Sequence, residues 1–212
     1  MDRNVLNAKL DKMFYPASVA VVGASEVPVK WGNLILTSIL GWEFKGKVFL
    51  VNPKKDTILG LPCYPSITAI PEAVDLAVLV IPAPHIPGAM RECAAKGISA
   101  AVVISSGFRE MGEEGARIER DTVEIARDGG IVFMGPNTMG IASAHGRLEA
   151  LPTPTGPKPG GLSIISQSGN LGLQILKWIA HKGIGLSIYA GTGNEAMLHA
   201  GHLLAHMGGK DE

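Results

Sequence analysis

Short, nearly continuous apolar runs alternate along this chain with stretches whose apolar positions recur every three to four residues. The continuous runs are Ser18–Val22, Val48–Val51, Asp75–Ile81, Ala100–Ser105 and Gly130–Met134. Such runs predict strands covered on both faces. The periodic stretches predict helices over Gly32–Leu40, about Pro87–Lys96 and about Glu113–Arg127. Pro62, Pro65 and Pro71 rule out a long helix across Lys54–Ala73, so an irregular link is expected there. Strand and helix in alternation predict an α/β fold, a parallel sheet wrapped by helices.

After Gly140 the pattern changes. Leu151–Gly161 carries Pro152, Pro154, Pro157 and Pro159, a composition that predicts a linker. A second series follows, with strands at Leu162–Ser166 and Leu186–Tyr189 and helices at Asn170–His181 and about Glu195–Met207. The expected division is residues 1–145, a linker at 146–160 and a second unit at 161–212. Two strands and two helices in about 50 residues bury only about 60% of their unfolded surface. The second unit is therefore expected to be one part of a larger domain, completed by further chain or by a partner.

Composition narrows the class. With 46% hydrophobic and 18% charged residues, the 212-residue chain can bury a sizeable core. Lysine plus arginine equals aspartate plus glutamate at 19 each, so the basic excess of a nucleic-acid binder is missing. Every apolar run is interrupted well before the roughly 20 residues a membrane span needs. The opening Met1-Asp2-Arg3-Asn4 begins a charged, amphipathic stretch without signal-peptide character. Cys63 and Cys93 are too few for a disulfide scaffold, and a reduced, cytoplasmic setting is the expectation.

Ligands of open parallel sheets sit beyond the carboxyl ends of the strands. The first strand runs into Gly23-Ala24-Ser25, and the next glycine is Gly32, too distant for a G-x-G-x-x-G fingerprint. Gly23 still permits close backbone approach, and Gly32 opens a helix whose free N–H groups suit a phosphate; an ordinary strand-to-helix turn is the plainer reading. The second strand ends in Asn52-Pro53-Lys54-Lys55, with lysines where an NAD site wants an acid. Two ammonium groups suit the 2′-phosphate of NADP or the 3′-phosphate of coenzyme A, or form a solvated turn. Ile81-Pro82-Ala83 offers rigid apolar backbone to an adenine, or simply ends a strand. Ser105-Ser106-Gly107-Phe108 offers hydroxyls, and Asn137 follows a punctuated Gly135-Pro136 turn. In the second unit Ser166-Gln167-Ser168-Gly169-Asn170 joins strand to helix, an anion site by mechanism and also an ordinary N-cap.

His199, His202 and His206 share one face of the last expected helix. Met197, Ala200, Leu203, Leu204 and Met207 form its apolar stripe, so the histidines are expected on the solvent side, with no metal site. Cys93 falls on an apolar helix stripe and is expected in the core, Cys63 in a loop.

These motifs together resemble a known family. Phe14-Tyr15-Pro16-Ala17-Ser18-Val19-Ala20-Val21-Val22-Gly23-Ala24-Ser25, Val51-Asn52-Pro53, Ile81-Pro82-Ala83, Ser105-Ser106-Gly107-Phe108-Arg109-Glu110, Gly135-Pro136-Asn137 and Ser166-Gln167-Ser168-Gly169 fall in the order and spacing of the NDP-forming acyl-CoA synthetases, relatives of the succinyl-CoA synthetase α subunit. The resemblance implies a Rossmann-type CoA-binding domain followed by part of a flavodoxin-like ligase domain. It implies CoA contacts from Gly23, Ala24, Ser25, Lys30, the Asn52–Lys55 turn, the Ile81–Ala83 turn and Ser105–Phe108. Asn137 and Ser166–Asn170 would border the phosphoryl-transfer site. The family makes acyl-CoA, ADP and phosphate from a carboxylic acid, CoA and ATP, through an acyl phosphate and a phosphorylated histidine. That histidine and the ATP-grasp module which brings ATP/ADP and Mg lie outside these 212 residues. The chain alone is thus expected to bind CoA without completing the reaction, and to work with an ATP-grasp subunit or domain in an oligomer.

Two other readings stay open from the residues. One is an NADP-dependent oxidoreductase using Lys54 and Lys55, against which stand the long Gly23–Gly32 loop and the lack of a Tyr-x-x-x-Lys pair. The other is a non-catalytic CoA-sensing module.

Overall fold

A computed structural model describes residues 2–209. Helix α1 (Arg3–Phe14) opens the chain, its start capped by Asp2, whose carboxylate accepts from the Asn4 N–H at 2.7 Å. Then come β1 (Ser18–Val22), α2 (Trp31–Gly41), β2 (Lys47–Val51), β3 (Thr57–Ile58), β4 (Leu61–Tyr64) and β5 (Leu76–Leu79). The first unit ends with α3 (Ile86–Lys96), β6 (Ala100–Val103), α4 (Glu113–Asp128) and β7 (Val132–Met134). The strands form one sheet in the order β3-β4-β2-β1-β5-β6-β7, parallel except for the β3–β4 pair. That pair is a hairpin inside the link expected to be irregular. Leu59 and Gly60, both at positive φ, close its turn, and Cys63 lies buried in β4 rather than in a loop.

Alternation along the strands explains their continuous apolar character. Val19, Val21, Leu76, Val78, Ala100 and Val102 face α1 and α2, packing on Leu10, Phe14, Ile35 and Ile39. Their neighbours Ala20, Val22, Ala77, Leu79, Ala101 and Val103 face α3 and α4, packing on Ile86, Met90, Cys93 and Ile118. Period-two exposure to two helical layers leaves no polar face on the central strands. Burial pushes the Cys93 thiol up to about 12, which leaves it an inert core residue.

The second unit comprises β8 (Ile141–Ser143), β9 (Leu148–Ala150), β10 (Pro159–Ser166), α5 (Gly169–His181), β11 (Leu186–Gly191) and α6 (Ala200–Met207). Its sheet has the order β10-β11-β8-β9, with β10 parallel to β11 and β8 antiparallel to both β11 and β9. The β8–β9 hairpin straddles positions 145 and 146 yet pairs with β11, so the second sheet takes in residues ahead of the expected linker. The irregular part of that linker is 151–158, because Pro159–Gly161 already belongs to edge strand β10, where a proline at the strand start loses no ladder bond. Ile141, Leu148, Ala150 and Ile188 join the core that α1 and α2 share with the first sheet. On its other face the second sheet packs α5 through Leu173, Leu176 and Ile179 against Leu186 and Tyr189. The layers thus run α3/α4, first sheet, α1/α2, second sheet, α5.

The last helix begins at Ala200, five residues later than expected. Asn194 N–H donates to the Pro136 carbonyl at 2.8 Å and Ala196 N–H to that of Gly135 at 3.1 Å, so this backbone is bonded to another turn instead of to a helix. The histidines do not share a solvent face. His199 caps α6 and lies against His202, their ring centroids 3.7 Å apart and the rings tilted by 34°. Burial, reinforced by His199, holds His202 below the ordinary histidine range. His206 is only 3% exposed and lies against α1, with Asn7 Oδ1 at 3.4 Å, Asp11 Oδ1 at 3.7 Å and the ring of Phe14 stacked alongside. Among the described residues no group of three or more His, Cys, Asp or Glu is arranged to hold a metal ion, and no helix is long and apolar enough to cross a membrane. The expected tail at residues 210–212 lies outside the described residues.

Candidate functional site

The first sheet reverses its winding at β1, between β2 and β5, and a crevice of about 1050 Å³ opens there beyond the carboxyl ends of the strands. Two glycines let its walls close up. Gly23 has φ of +91°, and a Cβ there would sit 2.4 Å from the Val80 carbonyl oxygen. A Cβ on Gly32 would sit 2.0 Å from the Gly23 carbonyl oxygen. The start of α2 therefore rides directly on the β1 turn, as a phosphate cradle requires.

Asn52 joins the two banks. Its amide donates to the Ala24 carbonyl at 2.9 Å, and its Oδ1 accepts from the Lys54 N–H at 3.0 Å. Ser25 holds its own loop, Oγ accepting from the Val27 N–H and its carbonyl from the Asn33 amide, both at 3.1 Å. Gly23, Ala24, Ser25 and Lys30 line the crevice from the β1 turn, Asn52, Pro53 and Lys54 from the β2 turn, and Ile81 and Pro82 from the β5 turn on the other side of β1. Lys55, Ala83 and Gly32 do not line it. Lys55 is turned to Glu26, its ammonium 2.7 Å from Oε1; that hydrogen bond and charge raise its pKa, and it does not line the crevice. Ala83 is buried in a single turn of 3₁₀ helix, and Gly32 acts through close approach rather than by lining.

The opposite wall escaped the sequence reading. Ser66 and Ile67 reach the crevice from the link after β4, and His85, Arg91 and Glu92 from the start and flank of α3. Glu92 braces that link, accepting from the Ile67 N–H at 2.8 Å. The available signal was a basic residue, Arg91, on the face of an amphipathic helix that follows a strand flanking the switch point.

A second pocket of about 620 Å³ adjoins the first, with Val80, Ile81 and Pro82 lining both. Here the two units meet. Ser105, Ser106 and Asn137 come from the first, Gln167, Ser168, Gly169 and Asn170 from the second. Ser168 caps α5, its Oγ accepting from the Leu171 N–H at 3.4 Å, so the first turn of α5 opens on the pocket. Gln167 donates to the Gly193 carbonyl at 3.2 Å, and Asn137, at φ +57°, donates to Asn194 Oδ1 at 3.4 Å. Ser166 is buried and donates to the Ser168 carbonyl at 2.8 Å, shaping the turn without lining it.

Gly107 and Phe108 line neither pocket. Phe108 is wholly buried, and the N–H groups of both residues donate to Glu110 Oε1 at 2.6 and 3.0 Å. Burial pushes the Glu110 carboxyl up, but hydrogen bonds from Asn194, Phe108 and Gly107 outweigh it and hold it below the ordinary carboxylate range. Glu119, on α4, accepts from the Asn194 amide at 2.9 Å and pairs with Arg109 at 3.3 Å. Arg109 in turn donates to the Asn194 carbonyl. This network clamps the turn after β11 onto the Arg109–Glu110 turn and α4.

Comparison with known proteins follows this division. Residues 17–144 match the CoA binding domain family, and residues 159–212 match the succinyl-CoA ligase like flavodoxin domain. The ADP-forming acetate–CoA ligase I of Archaeoglobus fulgidus is 42% identical over 202 residues, covering 95% of this chain and 29% of that protein. The alpha subunit of the ADP-forming acetate–CoA ligase I of Pyrococcus furiosus is 40% identical over 199 residues, covering 92% of this chain and 43% of that subunit. Among solved structures, the dinucleotide forming acetyl-coenzyme A synthetase 1 of Ca. Korarchaeum cryptofilum, in complex with phosphate and ADP, superposes with a TM-score of 0.91 at 38% identity, covering 95% of this chain and 43% of that one. The chain thus spans less than half the length of these relatives.

Proposed function

The chain belongs to the CoA binding domain family and, with the ligase-like flavodoxin domain that follows, to the NDP-forming acyl-CoA synthetases; from that premise we propose that it is the CoA-holding portion of such an enzyme. The whole enzyme would turn a carboxylic acid, CoA and ATP into acyl-CoA, ADP and phosphate. One observation carries the reading: the crevice at the β1 switch point and the pocket at the start of α5 share the wall made by Val80, Ile81 and Pro82. A ligand with a phosphorylated adenosine at one end and a flexible thiol arm at the other fits that sequence of spaces.

In this reading the β1–α2 turn and the Asn52–Lys54 turn hold the adenosine and its phosphates, with Lys30, Lys54 and Arg91 supplying positive charge. The pantetheine arm runs past Ile81 and Pro82 and delivers the thiol to the second pocket. There an acyl phosphate sits with its phosphoryl group at the first turn of α5, flanked by Asn137, Gln167, Ser168, Gly169 and Asn170. Sulfur attacks the acyl carbon, a C–S bond forms, and the C–O bond to phosphorus breaks. The electron pair leaves on phosphate, and the thiol proton passes to phosphate or solvent. The N–H groups of α5 stabilise the departing charge, and the shared walls keep the reacting atoms in register. Nucleotide, Mg and the phosphorylated histidine belong to an ATP-grasp partner or further domain.

We assign residues 1–145 to CoA binding and 161–212 to the opening of the ligase domain, with 146–160 between them contributing β9, the irregular 151–158 and the start of β10. Titration with CoA, dephospho-CoA and NADP tests the reading. CoA should bind tightest and loss of the 3′-phosphate should weaken it, whereas tighter binding of NADP would favour a nicotinamide enzyme.

A further inference from the structure

Besides Ser105 and Ser106, two turns supply polar groups to the second pocket. One follows β7 and carries Asn137 and Thr138; the other leads into α5 and carries Gln167, Ser168 and Asn170. Among the described residues no hydrogen bond joins one turn to the other. Both are bonded instead to a third piece of chain, Gly191-Thr192-Gly193-Asn194, which runs on from the last residue of β11. None of these four residues lines either of the two pockets.

Thr192 N–H donates to the Ser166 carbonyl at 2.9 Å and the Gln167 amide to the Gly193 carbonyl at 3.2 Å, which fixes the turn into α5. On the other side, Gly191 N–H donates to the Gly140 carbonyl at 3.0 Å and Asn194 N–H to that of Pro136 at 2.8 Å. Thr138 adds a side-chain tie. Its Oγ1 donates to the Gly191 carbonyl at 2.6 Å and accepts from the Gly140 N–H at 3.0 Å. Thr138 is buried, so neither group it bonds finds water in its place if the hydroxyl is removed. Gly193 permits the closest approach. It has φ of +58°, and a Cβ there would sit 2.3 Å from the Pro136 carbonyl oxygen and 2.6 Å from that of Asn137. Asn137 itself stands at φ of +57°, a conformation that persists where the surrounding structure fixes it.

We infer that Gly191–Asn194 is the positioning element of the phosphoryl site: it sets the separation between Asn137 and the N–H groups at the start of α5, through Thr138 and Gly193. This rests on the proposed CoA-ligase reading, which places a phosphoryl group against both turns. A tetrahedral anion gains from two sets of donors only when they stand at the right distance, and a shift of about 1 Å in one set forfeits the advantage. The end of β11 supplies that distance from outside the pocket lining, so its residues position the site without contacting the reacting atoms.

Titration of the full chain with inorganic phosphate, read from backbone amide signals by NMR, tests this beside calorimetric titration with CoA. In the unaltered chain the amides of Asn137 and Gly169 should respond to phosphate together, with a single affinity. Thr138→Val keeps the shape of the side chain and loses both hydroxyl bonds. It should weaken phosphate about tenfold, the worth of one charge-assisted hydrogen bond, while CoA affinity stays within about twofold. Thr138→Ser should restore most of the loss. Gly193→Ala should give the same split with a larger loss of phosphate. Equal losses of phosphate and CoA affinity in Thr138→Val would overturn the inference, by making the hydroxyl a general prop of the fold. So would unchanged phosphate affinity in that variant, or Asn137 and Gly169 amides that respond with different affinities. Binding of CoA without any response to phosphate would overturn it and spare the CoA crevice. Failure to bind either ligand would instead sink the ligase reading on which it rests.

Discussion

Asn194, on the turn after β11, donates its side-chain amide to Glu119 on α4 at 2.9 Å, and so ties the second sheet to the helical layer of the first. The same amide reaches Glu110 Oε2 at 2.6 Å. One neutral side chain thus satisfies two carboxylates from different elements, with Arg109 neutralising one of them.

Asn194→Ala should therefore lower stability by about 2 kcal/mol, because the nearly buried Glu119 carboxylate loses a donor and keeps its desolvation cost. Urea unfolding gives the value. Glu119→Gln in the same background should recover part of it, since a neutral partner removes that cost.

Glu110 predicts an acid limit to this clamp. Its folded pKa lies below its unfolded one, so its stabilising contribution is full above the ordinary glutamate value of about 4.3 and disappears as pH falls through the folded pKa. Unfolding midpoints of the unaltered chain and Glu110→Gln, followed from pH 7 to pH 3, should differ most at neutral pH and converge in acid. A gap that widens on acidification would reverse the assignment.

The neighbouring lysines of the β2 turn should behave differently. Lys54 lines the crevice and Lys55 is held by Glu26. Lys54→Ala should weaken CoA about tenfold with little effect on dephospho-CoA, the loss of one phosphate contact, while Lys55→Ala should change both by less than about twofold. Calorimetry on the two variants separates the roles that adjacent, chemically identical residues leave undivided in the sequence.

Gly32→Ala tests the close approach of α2 to β1. The new methyl would meet the Gly23 carbonyl at 2.0 Å, backbone against backbone, so the turn must open. A loss of more than about 2 kcal/mol in stability is expected, together with loss of CoA binding. Gly41→Ala, on the same helix with open space around it, should leave both nearly unchanged.

What was legible in the sequence follows from these contacts. The central strands announce themselves because both their faces are covered, and each strand end then marks a candidate contact. Helix α1 was visible only as a charged, amphipathic stretch, since only its end, at Leu10, Met13 and Phe14, is buried in the core. The β8–β9 hairpin has three residues per strand, too few for a period, and the prolines after it suggested a linker where the second sheet had already begun. His206 was assigned to solvent because nothing in its own helix reveals that α1 packs against it. Lys55, Gly107 and Phe108 sit inside recognisable motifs but serve the loops that carry them, while Arg91 and His85 reach the crevice from a helix whose period described only its buried side.

A structure of the chain with coenzyme A tests the central claim most directly. Adenosine density between the β1 turn and the Asn52–Lys54 turn, with the thiol arm passing Pro82 to end beside Ser168, is the predicted result. An empty crevice under saturating coenzyme A, or a nicotinamide ring at the α5 end when NADP is supplied, would contradict it.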